Sequence, residues 1–471
     1  MPEHNNYVSL AAAAASGAAA ALIARRLFSR DNRRRVRCSY SIGSDLHLSA
    51  DDSSTNCIYL DHNGTTPIYV PVLEEMLPYL TTHFGNPSSG HAYGKEPKAA
   101  VSLARRRVMS LLADDDESLA MADDCIIFTG CGTESDNLAI ELALASCGKR
   151  NHVVTCNIEH PAVLDCLKVM EKAGKIELSI VNVNDQGIVS VDDIAKAIRP
   201  DQTALVTIML ANNEVGSLQP IAAIAKICRK ANILLHTDAA QAVGKVSVSL
   251  KDLGQPDMIT IVGHKMGAPK GVAALYVRKG CLSEHGRCEP DGYGSCGLAL
   301  RGGGQERGRR AGTENVPYIV GLGKAAELLT KPSEVDGFAQ QWMCNAKRMD
   351  LLRSRLLENI KTALGEENIG VNGPADPTAR LPSTLSVGLR NIHSGELLKA
   401  ISDKVAASAG SACHASGGGV SAVLRCLNVP DEFARGTLRL SVGPSTTEEE
   451  VDKASEIIVA EAKMQFESDF I

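Results

Sequence analysis

Three short stretches set chemistry-bearing side chains where apolar runs end. "HTDAAQAVGK", residues 236–245, closes an apolar run on Asp238. An aspartate there is costly unless it meets a cation or hydrogen-bond donors. It serves either as a helix cap or as the acceptor that keeps a heterocyclic nitrogen protonated. "TIVGHKMGAPKG", residues 260–271, sets Lys265 just beyond another apolar run, between histidine, glycine and proline. Partial desolvation and nearby positive charge lower a lysine's pKa, as suits an amine that must form and leave a covalent bond. Lys270 and Lys279 have looser surroundings and read as surface lysines. "TGCGTES", residues 129–135, follows a strand-like run and opens a helix-like one. Its small residues and first-turn amides suit a phosphate, with Thr133 or Ser135 adding a hydroxyl, and they equally suit an ordinary helix start.

An anion turn, an acceptor aspartate and a desolvated lysine together suit pyridoxal 5'-phosphate, whose ring works as an electron sink when its nitrogen is protonated. Two further residues extend the set. "SAGSACHASGGG", residues 408–419, puts Cys413 in a stretch too small and glycine-rich for a core, as suits a thiol carried on a movable loop. His414 beside it is a minor candidate to assist ionisation. Arg439, in the strand-like "TLRLSV", can grip a carboxylate through two parallel hydrogen bonds or sit in a structural ion pair.

The elements that must position these residues follow from hydrophobic periodicity. Short runs near 57–61, 125–129, 152–156, 178–183, 204–210, 232–237 and 258–262 alternate with helical patterns at 97–113, 162–172, 191–198 and 220–230. This alternation predicts a mostly parallel sheet with its ligand site beyond the carboxyl ends of the strands. That rule gathers residues 129–137, 212–216, 238–241 and 263–265 on one rim. Helices over 318–329 and 334–363, the second a spine between domains, lead into a smaller α+β unit. It has strands at 384–389, 404–408 and 437–442, and helices at 395–402, 420–427 and 446–467, the last capped by Thr446 or Thr447. The expected division is an extension over 1–56, a segment over 57–75 bordering the site, a large domain over 76–330 and a small one over 331–471.

Composition narrows the class. The chain has 471 residues and a formal charge of −6, without an extended basic face, which argues against nucleic acid as a partner. Its 14 cysteines match no disulfide framework, and Cys281, Cys288 and Cys296 lack the paired spacing of a zinc site, so no metal is expected. The segment "CLSEHGRCEPDGYGSCGLAL", 281–300, reads as an exposed excursion. Residues 8–24 are almost wholly small or apolar and precede an arginine-rich run, a pattern that fits a mitochondrial or other organellar signal first and a membrane anchor second. A cytosolic location stays open.

"YLDHNGTT", "HFGNPSSGH", "FTGCGTESDN", "IEH", "NNEVG", "HTDAAQ", "GHK", "GGGQERGRRAGTEN" and "SAGSACH" resemble, in order, the motifs of the cysteine desulfurase and selenocysteine lyase family of pyridoxal phosphate enzymes. The resemblance spans about residues 57–460 and implies the aspartate aminotransferase fold type. By that resemblance Lys265 forms the internal aldimine and moves the substrate's α-proton, Asp238 pairs with the pyridine nitrogen, and His160 stacks over the ring. Asn213 and Gln241 contact the phenolic oxygen. Gly132, Thr133 and His264 hold the phosphate, joined by Thr313 from the second subunit of a homodimer. Arg439 binds the substrate carboxylate, with Asn63 bordering that pocket, and Cys413 meets the substrate chalcogen. Val262 stands where the desulfurase pattern has a phosphate-binding serine. That feature, with "TIVGHK" and "ACHASGGG", resembles the selenocysteine lyase branch more closely. It implies selenocysteine as substrate, giving alanine and selenide with a reductant. The alternative is a cysteine desulfurase that carries a Cys413 persulfide to a sulfur acceptor protein.

Overall fold

The computed structural model describes residues 57–284, 300–335, 337–409 and 420–468. Cys413, His414, Cys288, Cys296 and the extension over 1–56 lie outside the described residues. Strands β1 (Ile58–Tyr59), β2 (Ile126–Thr129), β3 (His152–Cys156), β4 (Glu177–Val181), β5 (Thr203–Thr207), β6 (Leu234–Asp238), β7 (Met258–Val262) and β8 (Ala273–Val277) come first in the chain. All but β1 join one sheet in the order β2-β8-β7-β6-β5-β3-β4. Every residue of β2, β3, β5, β6, β7 and β8 is buried. Burial on both faces is the condition under which β-branched runs lose the polar alternation of a half-exposed strand.

Helices α1 (Val70–Thr81), α2 (Ala92–Met109), α3 (Gly132–Ser146), α4 (Pro161–Lys172), α5 (Val191–Ala197), α6 (Ile221–Lys230) and α7 (Val316–Thr330) accompany this sheet: α2 to α6 pack on its strands, and α7 packs on α1 and α2. The expected parallel sheet is therefore present, with one reversal: β8 runs antiparallel to both β7 and β2. The connection from Val262 to Ala273 is too short to hold a crossover helix, so the chain can only turn back. Gly267 makes that turn possible. Its φ is +84°, and a Cβ there would lie 2.2 Å from the Tyr69 ring. Helix α2 begins at Ala92 rather than at Pro97, which sits inside it.

The remaining elements are α8 (Gln341–Leu364), β9 (Ile369–Val371), β10 (Thr384–Leu389), α9 (Ser394–Ala400), β11 (Val405–Ala406), β12 (Ser408–Ala409), α10 (Ala422–Cys426), β13 (Thr437–Ser441) and α11 (Glu448–Ser468), and all but α10 build the smaller unit. Its antiparallel sheet has the order β12-β13-β10-β9, while β1 pairs with β11 in parallel. Thr447 begins α11 with a reciprocal capping box: its hydroxyl accepts from the Glu450 amide at 3.0 Å, and Glu450 accepts from the Thr447 amide at 2.8 Å.

Chain order and packing do not divide at the same places. Ile58 and Leu60 belong to the small unit's core, beside Leu385, Val387, Leu438 and Leu440, although they precede the large sheet. Residue 75 falls within α1, which packs on α7. Val423, Leu424 and Leu427 join the large core although they come late in the chain. The segment over 281–300 starts in the core: Cys281 and Leu282 are buried, so the exposed excursion expected there does not begin at its first residues. No helix among the described residues is long and apolar enough to cross a membrane.

Candidate active site

Lys265 ends a tight 3-10 turn, Gly263–Lys265, directly after β7. The turn is held by Thr66, whose amide and hydroxyl both donate to the His264 carbonyl at 2.8 and 3.0 Å. The Lys265 ammonium nitrogen donates to the backbone oxygen of Asn63 at 2.7 Å. Burial pulls its pKa down from 10.5 to about 8, with the Arg439 charge acting the same way and Asp238 and Asp61 opposing. The desolvated amine expected from its sequence surroundings is present.

Asp238 ends β6 and is 6% exposed. Its Oδ1 accepts from the Ala240 amide at 2.8 Å. Burial raises its carboxyl pKa; the Ala240 amide, His160 and Lys265 pull the other way. His160 caps α4, with Nδ1 accepting from the Ala162 amide at 3.1 Å. A neutral imidazole so engaged carries its proton on Nε2, which fixes the tautomer. His160 is exposed on the rim and electrostatically linked to both Asp238 and Lys265.

The phosphate candidates lie at the start of α3. Gly132 and Thr133 are its first two residues, so their amides have no intrahelical acceptor. A Cβ on Gly132 would fall 2.6 Å from Cγ2 of Val262. Glycine is thus required for this helix to start against β7, and Val262 is the residue it abuts. Glu134 steadies the turn: it accepts from the Gly130 amide at 2.7 Å and pairs with Arg310 at 2.7 Å. His264 Nδ1 lies 3.1 Å from the Thr65 hydroxyl, and burial beside Lys265 lowers its pKa to about 4. Thr313 is exposed, in the loop that Arg310 ties to Glu134.

Arg439 comes from the small unit. Leu438 and Leu440 enter that unit's core, so strand alternation turns Arg439 to the opposite face. There it is 4% exposed, donating to Asp61 Oδ1 at 2.8 Å and to the Asn213 carbonyl at 3.4 Å. Both readings of this arginine meet here: it already forms an ion pair, and it does so on the rim. Its Nε is buried with no hydrogen-bond partner.

Asn63, expected only to border the pocket, is its hub. It is 1% exposed; its amide donates to Ser441 Oγ at 2.9 Å, and its Nδ2 donates to Thr384 Oγ1 at 2.8 Å and to the Asn213 carbonyl at 3.2 Å. Its backbone oxygen accepts from Gln241 Nε2 at 3.0 Å as well as from Lys265. One residue thereby joins both units at the lysine. Of the paired asparagines, Asn212 is structural, with Oδ1 accepting from the Glu214 and Val215 amides, while Asn213 is left half-buried beside Arg439.

Sequence reasoning missed Asp61 as the partner of Arg439, and it missed Lys245. The latter is buried and donates to Asn63 Oδ1 at 3.2 Å and Gln241 Oε1 at 3.1 Å. No local signal marked it, since residues 240–245 form turns, where a four-residue spacing carries no helical pairing. Glu159 was also missed. Burial raises its pKa to about 8, and its Oε1 accepts from the Met209 amide at 2.7 Å.

These residues fit pyridoxal phosphate. A buried carboxylate ends one strand and a desolvated amine follows the next. A helix start that admits only glycine supplies free amides for a phosphate, and a histidine of fixed tautomer overlooks the carboxylate.

Comparison with known proteins places this geometry. The aminotransferase class-V family matches residues 58–454. A protein named cysteine desulfurase IscS from Clostridium botulinum is 39% identical over 404 residues, covering 85% of this chain and 93% of that protein. A solved structure described as a NifS-like protein superposes with a TM-score of 0.72 at 33% identity, covering 87% of this chain and all of that one. Another, described as SspA in complex with cysteine, gives a TM-score of 0.66 at 32% identity, covering 83% and 99%. With the fold type, the rim and these similarities in agreement, the chain belongs to the class-V aminotransferase family of pyridoxal phosphate enzymes, in its NifS-like group.

Proposed function

We propose that the chain is a cysteine desulfurase, which converts L-cysteine to L-alanine and retains the sulfur as a persulfide on Cys413. The observation that carries this reading is Lys265, held on the rim with its amine near pH 8 and under the opposing influence of Asp238. The relatives' names and the cysteine-bound SspA structure favour cysteine over the selenocysteine expected from "TIVGHK". Bound pyridoxal phosphate supplies an electron sink for the charge left at Cα when its proton is removed. Lys265 binds the cofactor and afterwards takes and returns that proton. Asp238 would hold the ring nitrogen's proton, and Gln241 and Asn213 would meet the phenolic oxygen. Gly132, Thr133 and His264 would receive the phosphate, with Thr313 joining them from the second subunit of a homodimer. His160 would cover the ring. Arg439, oriented by Asp61, takes the substrate carboxylate. The Cys413 thiolate attacks the substrate sulfur: an S–S bond forms, the Cβ–S bond breaks, and its electron pair stays with the carbon skeleton, which gains protons to become alanine. A thiol acceptor then removes the outer sulfur.

The test measures alanine formed from L-cysteine and from L-selenocysteine by the wild type and by Cys413→Ser. The expected outcome is turnover of cysteine that falls at least about a hundredfold in the variant, since removing a nucleophile removes its whole step. Efficient use of selenocysteine alone, unaffected by Cys413→Ser, would establish the lyase reading instead.

A further inference from the structure

Lys245 is 6% exposed, yet the hydrogen bonds of its ammonium run to two neutral side-chain amides. An ammonium in that setting is costly to bury. Lys265 and Arg439 add like charge, and burial with these neighbours brings its pKa to about 7. The two amides it touches belong to the hub residue and to the residue proposed to face the cofactor's phenolic oxygen. We propose that Lys245 is a positioning residue that fixes the amide polarity of Gln241 and Asn63 at the cofactor site.

A primary amide can present either end, because its oxygen and nitrogen have nearly the same shape. An ammonium can only donate. Placed 3.1 Å from one end of Gln241, Lys245 meets that end as oxygen, and the Asn63 carbonyl, which can only accept, meets the opposite end as the NH2 group. That group already donates to the Asn63 carbonyl at 3.0 Å and retains a second hydrogen. Asn63 is fixed by the same rule: Oδ1 faces Lys245, leaving Nδ2 for Thr384 Oγ1 and the Asn213 carbonyl. The Asn63 backbone so held is the acceptor for Lys265. Lys245 at one end and acceptor-only carbonyls at the other thus set two amides and, through them, the donor offered to the cofactor. This inference rests on the proposed placement of Gln241.

The test uses the full-length protein, stripped of cofactor and titrated with pyridoxal phosphate, with the visible band followed against concentration and against pH. Lys245→Met, close in length and unable to donate, is expected to weaken cofactor binding about tenfold, the scale of one charge-assisted hydrogen bond. It should also raise the pH midpoint of the band, because an undonated phenolic oxygen holds its proton more tightly. In a Gln241→Ala background the same change at Lys245 should add little. An undiminished effect in that background would mean that Lys245 acts by its charge alone, and would overturn the proposal. Should the methionine variant fail to fold by circular dichroism, Lys245→Gln takes its place. It keeps volume and hydrogen-bonding capacity but loses the donor-only character, so wild-type affinity and midpoint in that variant would also overturn it. A wild-type protein that develops no visible band would instead defeat the cofactor reading beneath it.

Discussion

At the scale of the residue, Lys265 turns on the balance between burial and charge. Its pKa is pulled from the ordinary value of 10.5 to about 8 because burial outweighs the attraction of Asp238 and Asp61. Only the neutral amine can attack the cofactor's aldehyde, so the pKa sets the pH profile of cofactor capture. With the folded pKa near 8, the rate of development of the visible band should rise about tenfold per pH unit below that value and level off above it. Stopped-flow mixing of cofactor-free protein with pyridoxal phosphate measures this, and a profile still rising toward 10.5 would show that the lysine is not desolvated. Asp238 and Lys265 were legible in the sequence because each ends an apolar run, where a charged side chain needs a reason. Lys245 was not, because its reason is Asn63, far earlier in the chain, and no periodicity reports a contact of that span.

At the scale of the element, the site depends on how closely β7 and α3 approach. Gly132 starts the helix against Val262, where an added methyl would sit 2.6 Å from Cγ2. Valine cannot swing clear, since its branched Cβ is stiff at χ1. Gly132→Ala should therefore push the helix start away from the strand and misplace its first amides. A loss of about tenfold in pyridoxal phosphate affinity, one or two hydrogen bonds' worth, is expected. Val262→Ala opens the space, so the double variant should recover most of the affinity; failure to recover it would mean that the close approach does not shape the cradle. The sequence pointed to Val262 as the place of a missing hydroxyl, and the structure adds that its methyl is what the glycine accommodates. The reversed strand β8 escaped reading for a related reason. "AALYV" is too short and too evenly apolar to show direction, and only the brevity of its connection to β7 dictates an antiparallel partner.

At the scale of the whole molecule, the pocket joins elements that sequence order separates. Asp61 and Asn63 precede the large domain but hydrogen-bond to Arg439, Ser441 and Thr384 of the small one. A division by residue number therefore misses which parts pack together, since burial follows proximity in space. The same principle extends to the second subunit proposed for the active assembly. Thr313 is exposed, on a loop whose Arg310 is anchored to α3 of its own chain, so it is free to serve a site across an interface. Thr313→Ala should then weaken cofactor binding at the partner's site, while Lys265→Ala disables the site of its own chain. Co-expressing the two variants with different tags and isolating the hybrid separates these effects. In the hybrid, the Thr313→Ala chain keeps its lysine and receives an intact threonine from its partner, restoring one complete site per dimer. The hybrid should bind pyridoxal phosphate at one site with wild-type affinity and exceed the mean activity of the two parents. A hybrid that merely averages them would place Thr313 at the site of its own subunit or outside the site altogether.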